Sequence, residues 1–86
     1  MAKQKLVVLR ERKLGREQAL GIAWEPDKDN PLIEIDARLR GRERLTILCH
    51  EALHVAMPAL SERQVIRMAK VLASVLWADN YRQADQ

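Results

Sequence analysis

The sequence predicts a small α+β domain, and three observations carry that reading. The chain has 86 residues, which suits one domain spanning residues 1–86. Its first half holds three short runs rich in Leu, Val and Ile, each bounded by turn-forming residues. In its second half apolar residues recur at helical spacing on both sides of a proline. Strands followed by helices, rather than alternating with them, give an α+β order.

The first run, Lys5 to Arg10 (KLVVLR), reads as a strand. Glu11 to Glu17 is polar and reads as a turn or a short helical piece. Leu20 to Glu25 (LGIAWE) reads as a second strand, with Gly21 marking a bulge or a close backbone approach. Pro26 to Pro31 (PDKDNP) is a dense turn signal. Leu32 to Asp36 (LIEID) alternates apolar and acidic residues as a half-buried strand does. From Arg42 to Met57 the pattern becomes helical, with Leu45, Leu48, Cys49, Ala52, Leu53 and Ala56 on one side. Pro58 ends that helix. Ser61 then reads as an N-cap, and Gln64 three residues on completes a capping box. The second helix is expected to reach Tyr81, with Val65, Met68, Ala69, Leu72, Val75 and Leu76 as its apolar face.

Composition narrows the function classes. There is no Phe, and Leu, Val and Ile together number 23, so the core is aliphatic. A chain of this size buries only about 60–65% of its unfolded surface, a thin core that makes a homodimer an attractive arrangement. No segment approaches the ~18 uninterrupted apolar residues of a membrane span. The single cysteine, Cys49, excludes an internal disulfide and reads as a small buried hydrophobe. With no apolar leader segment, the expected compartment is the cytoplasm. The net charge is +3, which permits an acidic partner without demanding one. The basic clusters Arg10 to Arg16 and Arg38 to Arg44 are interrupted by Glu11 and Glu43, and they read as solvated surface rather than a nucleic-acid patch. Arg63, Arg67 and Lys70 read as a solvated stripe on the second helix, and Trp77 and Tyr81 as a core edge or a contact with the first strand.

Chemistry concentrates at residues 50 to 54, His50-Glu51-Ala52-Leu53-His54. Two histidines four apart on a helix stand one above the other and can reach one metal ion. Glu51, about 100° around the helix, can meet a water that the metal activates, which makes it the general base. The chain has two histidines, and both lie in this pentapeptide. Catalytic zinc takes three protein ligands and leaves one position open. Glu62 is the first choice for the third, because the turn at Pro58 returns the second helix to the end of the first. Asp36 and Asp79 stand in reserve. A polar helix face that happens to carry these residues is the competing interpretation.

Through this HExxH pentapeptide the sequence resembles the zincin metallopeptidases. More narrowly, HEALHVAMPALSE (His50 to Glu62) resembles small phage-type and bacterial metallopeptidases of the gluzincin kind, and IEIDARLRGRERL (Ile33 to Leu45) resembles their strand-to-helix approach. The resemblance implies a minimal zincin-like fold: a small three-stranded sheet packed on the HExxH helix, with a C-terminal helix. It also implies a zinc-dependent metallopeptidase, with His50, His54 and Glu62 as metal ligands and Glu51 as general base. A peptide or protein substrate is then expected to lie along an exposed strand edge, with Leu32 to Asp36 as the candidate. The alternative from another class is a non-catalytic zincin-like module that binds a protein or nucleic-acid partner.

Overall fold

A computed structural model of the chain describes residues 7–14, 20–24 and 31–84. The described residues form three strands, β1 (Val8–Arg12), β2 (Gly21–Trp24) and β3 (Leu32–Asp36), followed by two helices, α1 (Gly41–Ala56) and α2 (Glu62–Ala78). The α+β order therefore matches the expectation. The sheet order is β1-β3-β2, with β3 parallel to β1 and antiparallel to β2. After β1 the chain passes the place that β3 will fill, makes β2 at the opposite edge, and turns back into the middle.

That order corrects the reading of β3. Its alternating pattern suggests one wet face, yet Ile33, Glu34, Ile35 and Asp36 are all buried. Both edges of β3 are occupied, so no added strand can pair with it. Glu34 and Asp36 survive burial because each is paired. Arg12 donates to Glu34 at 2.6 Å, and the Trp24 indole donates to it at 2.9 Å. Arg38 and the Leu14 backbone N–H donate to Asp36. These bonds hold both carboxyls below the ordinary carboxylate range, chiefly through the Arg12 and Arg38 guanidinium groups.

β1 begins and ends later than its composition suggests. It runs on through Glu11 and Arg12 because these pair in register with Ile35 and Asp36, and their side chains find Arg44 and Glu34. Glu11 and Arg12 thus belong to the strand, not to the polar turn expected from Glu11 to Glu17. Lys5, Leu6, residues 15–17, Glu25 and most of the turn Pro26 to Pro31 lie outside the described residues.

The two helices form successive layers on the sheet. Ile33, Ile35 and Val55 are the buried centre between β3 and α1, with Ala23, Ile47 and Leu48 packed around them. Cys49, Leu53, Val65, Ala69 and Ala73 form the second centre, between α1 and α2. α1 is therefore covered on two sides, which one amphipathic stripe does not reveal. Ala52 and Ala56, expected inside, are exposed, and Glu51, expected on the polar side, is buried.

Ends and connections follow local chemistry. Ser61 and Gln64 form the expected capping box. α2 stops at Ala78, three residues short of Tyr81, where Asn80 takes a left-handed φ of 67°. Leu72 and Val75, assigned to its apolar face, are exposed, because α2 packs on α1 alone and presents a narrower contact stripe centred on Val65, Ala69 and Ala73. Trp77 and Tyr81 border a cavity at the N-terminal turn of α1, beside Gly41 and Leu45, rather than meeting β1. Cys49 is buried as expected, and burial pushes its thiol up from the ordinary value. No described helix is long and apolar enough to cross a membrane.

Candidate metal centre

Both histidines project from α1 at the seam between its two covered sides. At 100° per residue, His50 and His54 fall between Cys49 and Leu53, which face α2, and Ile47 and Glu51, which face the sheet. Their Nε2 atoms approach to 3.2 Å. The rings meet edge-on with centroids 4.9 Å apart.

The third group arrives through the turn. Met57 N–H donates to the Leu53 carbonyl, and Leu60 N–H to that of Met57, closing the connection after α1. The Ser61 cap then starts α2 at once, so Glu62 sits in its first turn beside the end of α1. One Glu62 carboxylate oxygen lies 2.6 Å from His50 Nε2, and the other 3.1 Å from His54 Nε2. The expectation that the turn returns Glu62 to the histidines is met. Among the described residues, His50, His54 and Glu62 are the group whose ligand atoms gather within 4.8 Å of one another.

This donor set fits a divalent cation. Two imidazole nitrogens at about 2.05 Å from a tetrahedral zinc stand roughly 3.3 Å from each other, close to the separation here. Two nitrogens and one carboxylate also leave a fourth position free, as catalytic rather than structural zinc sites do. The reserve ligands are placed elsewhere. Asp36 is committed to Arg38 and Leu14, and Asp79 is the C-cap at the far end of α2.

Glu51 is the unusual group. Among the described residues the buried acidic side chains are Glu34, Asp36 and Glu51. The first two have arginine and N–H partners, whereas Glu51 has no hydrogen-bond partner among the described residues. Among the described residues the fully buried side-chain polar atom without a partner is Arg44 Nε, so the Glu51 oxygens keep contact with solvent at the edge of the site. Burial pushes the Glu51 carboxyl up from its ordinary value, opposed by the nearby charges of His50 and His54. The sequence contained a signal for this burial: Glu51 lies four residues from both Ile47 and Val55, within an apolar row.

The edge of β2 borders the site. A Cβ on Gly21 would lie 2.8 Å from Ile47 Cγ2 and 2.9 Å from Glu51 Cγ, which is the close backbone approach expected of this glycine. Asp36 N–H donates to the Leu20 carbonyl, so hydrogen-bonded pairs fall at positions 20, 22 and 24. The alternation of an antiparallel ladder then turns the N–H and C=O groups of Gly21 and Ala23 toward the free edge.

The basic residues of the connection into α1 are tied to the protein itself. Arg38 pairs with Asp36, Arg44 with Glu11, Arg42 donates to Ser74, and Arg40 donates to the carbonyls of Ala37 and Leu39. Arg63, Arg67 and Lys70 are exposed on α2. Comparison with protein-family models, curated proteins and solved structures finds no match.

Proposed function

We propose that this protein is a zinc-dependent metallohydrolase that cleaves peptide bonds, with a minimal zincin-like architecture. The observation that carries the reading is the cluster of His50, His54 and Glu62, with the largely buried Glu51 within range of its charges. A general base needs a pKa raised toward the working pH and an otherwise idle pair of oxygens, and Glu51 has both.

In this reading His50, His54 and Glu62 hold the zinc. The bound ion supplies Lewis acidity and lowers the pKa of water toward ~7. Glu51 accepts a proton as water attacks the peptide carbonyl, and it delivers that proton to the departing amine. Its apolar surroundings, Ile47 and the bare backbone of Gly21, keep the carboxyl out of bulk water, where its basicity would be ordinary. The substrate lies along β2 rather than β3. β2 has a free edge next to Glu51, and the outward N–H and C=O groups of Gly21 and Ala23 offer an extended peptide its backbone hydrogen bonds.

The test is metal analysis joined to a cleavage assay on denatured casein. Wild type is expected to hold one zinc and to cleave, and Glu51→Gln to hold one zinc without cleaving. A wild-type protein that binds no zinc overturns the reading. One that binds zinc yet cleaves no peptide under any condition supports the non-catalytic module instead.

A further inference from the structure

We infer that Gly21 is a positioning residue for Glu51, its missing side chain being what seats the Glu51 carboxylate beside the histidine cluster. This rests on the proposed metal centre and adds to it a residue outside the HExxH helix.

Gly21 is the first residue of β2 and pairs with Ile35, and glycine is depleted in strands. Such a residue needs a reason, and backbone conformation does not provide one at this position. The one described glycine with a left-handed φ is Gly41, at 62°, and Gly21 is not among the positive-φ residues. The reason is space. The three atoms nearest an added Cβ are Ile47 Cγ2 at 2.8 Å, Glu51 Cγ at 2.9 Å and Glu51 Oε2 at 3.2 Å. Two of the three belong to Glu51.

Ordinary carbon contacts lie at about 3.5–4.0 Å. A methyl group at position 21 must therefore push Glu51 Cγ by roughly 0.6–1 Å. The β2 backbone is fixed through its pairing with β3, and the α1 backbone through the cores on both its sides, so the side chains of Ile47 and Glu51 are what yield. A displacement near 1 Å in a reacting group costs on the order of 10²-fold in rate. The metal ligands are untouched by the same change, because His50, His54 and Glu62 stand on α1 and α2, away from the Gly21 contact.

The experiment uses protein labelled with ¹³C at the glutamate carboxyls and loaded with cobalt(II) as the probe. The Glu51 resonance is assigned by its loss in Glu51→Gln. In wild type, cobalt shifts both the Glu51 and the Glu62 carboxyl signals. In Gly21→Ala the Glu51 shift is expected to change by more than about half, since such shifts fall steeply with distance, while Glu62 keeps its shift. Cobalt affinity is expected to stay within about threefold, against the 10–100-fold typical when a ligand's support is lost. On casein, kcat falls roughly 10²-fold with KM within about threefold. A Glu51 shift that is the same in both proteins overturns the assignment. If Gly21→Ala does not fold, Ile47→Ala is added to clear the other near contact, with Ile47→Ala alone as control: a Glu51 shift changed by Gly21→Ala in that background supports the assignment, and an unchanged one overturns it. Absence of cobalt uptake by wild type appears before any glycine variant is made, and it marks failure of the metal centre itself.

Discussion

Zinc should raise the thermal stability of this protein, and the size of the effect follows from where the ligands stand. His50 and His54 come from α1 and Glu62 from α2, so an ion bound as proposed would bridge the two helices across the turn at residues 57–61. The unfolded chain does not hold these groups together. Binding to the folded state alone contributes RT ln(1 + [Zn]/Kd), about 2.7 kcal/mol at a hundredfold excess over Kd. For a chain of this size each kcal/mol moves the Tm by about 4–8 °C. The rise is therefore expected to be roughly 11–22 °C, less whatever zinc the unfolded histidines capture. Scanning calorimetry with zinc and with a chelator measures it directly. The same scans on His50→Ala, His54→Ala and Glu62→Ala should show the zinc-dependent rise cut to about a third or less, because two ligands hold zinc far more weakly than three. Each variant is compared with its own metal-free Tm, since Glu62 also favours the first turn of α2 by its charge. A wild-type Tm indifferent to zinc, or a rise that survives intact in His50→Ala, refutes the three-ligand centre.

Further outcomes can be checked alongside. Glu51→Gln is expected to lose about 10²–10⁴-fold in peptide cleavage while retaining its zinc. Because burial disfavours the ionised Glu51 carboxylate, this variant should also be at least as stable as wild type at pH 8; a clear loss in urea titrations contradicts that expectation. Asp36 and Glu34 have folded pKa values held below the ordinary range. The stability they contribute is therefore complete above their unfolded pKa values, about 4, and is lost as pH falls through the folded values. Urea midpoints of wild type should accordingly drop steeply between about pH 5 and pH 2, and Asp36→Asn should be weaker at pH 7 with a flatter acid limb. Ser61→Ala removes the acceptor for the Gln64 N–H and is expected to cost about 1 kcal/mol, seen as a Tm lower by about 4–8 °C and a weaker grip on zinc through Glu62.

Much of this arrangement is legible along the chain because it is set by neighbours in sequence. Helical spacing fixes His50 above His54, the proline at 58 ends α1, and Ser61 with Gln64 starts α2. Together they bring Glu62 back to the histidines with no help from the sheet. Gly21 also declared itself, as a glycine in a run that otherwise reads as a strand. The parts that a linear reading missed all depend on what lies across space. β3 reads as half-exposed, but β1 and β2 pair with both its edges and arginines from outside the strand neutralise its acids. Strand order is decided by long-range pairing, and no local pattern encodes it. For the same reason β3 has no free edge to offer, and the proposed substrate edge is that of β2. Glu51 reads as polar surface because one helical wheel allows one buried face, whereas α1 is covered by the sheet on one side and by α2 on the other. Which side chains can share a metal ion is readable from the chain alone, since one helical turn and one capped turn are short-range geometry. That Glu51 is desolvated and that β2 lies beside it emerge from the folded packing, because burial belongs to packed layers and not to any single stretch of chain.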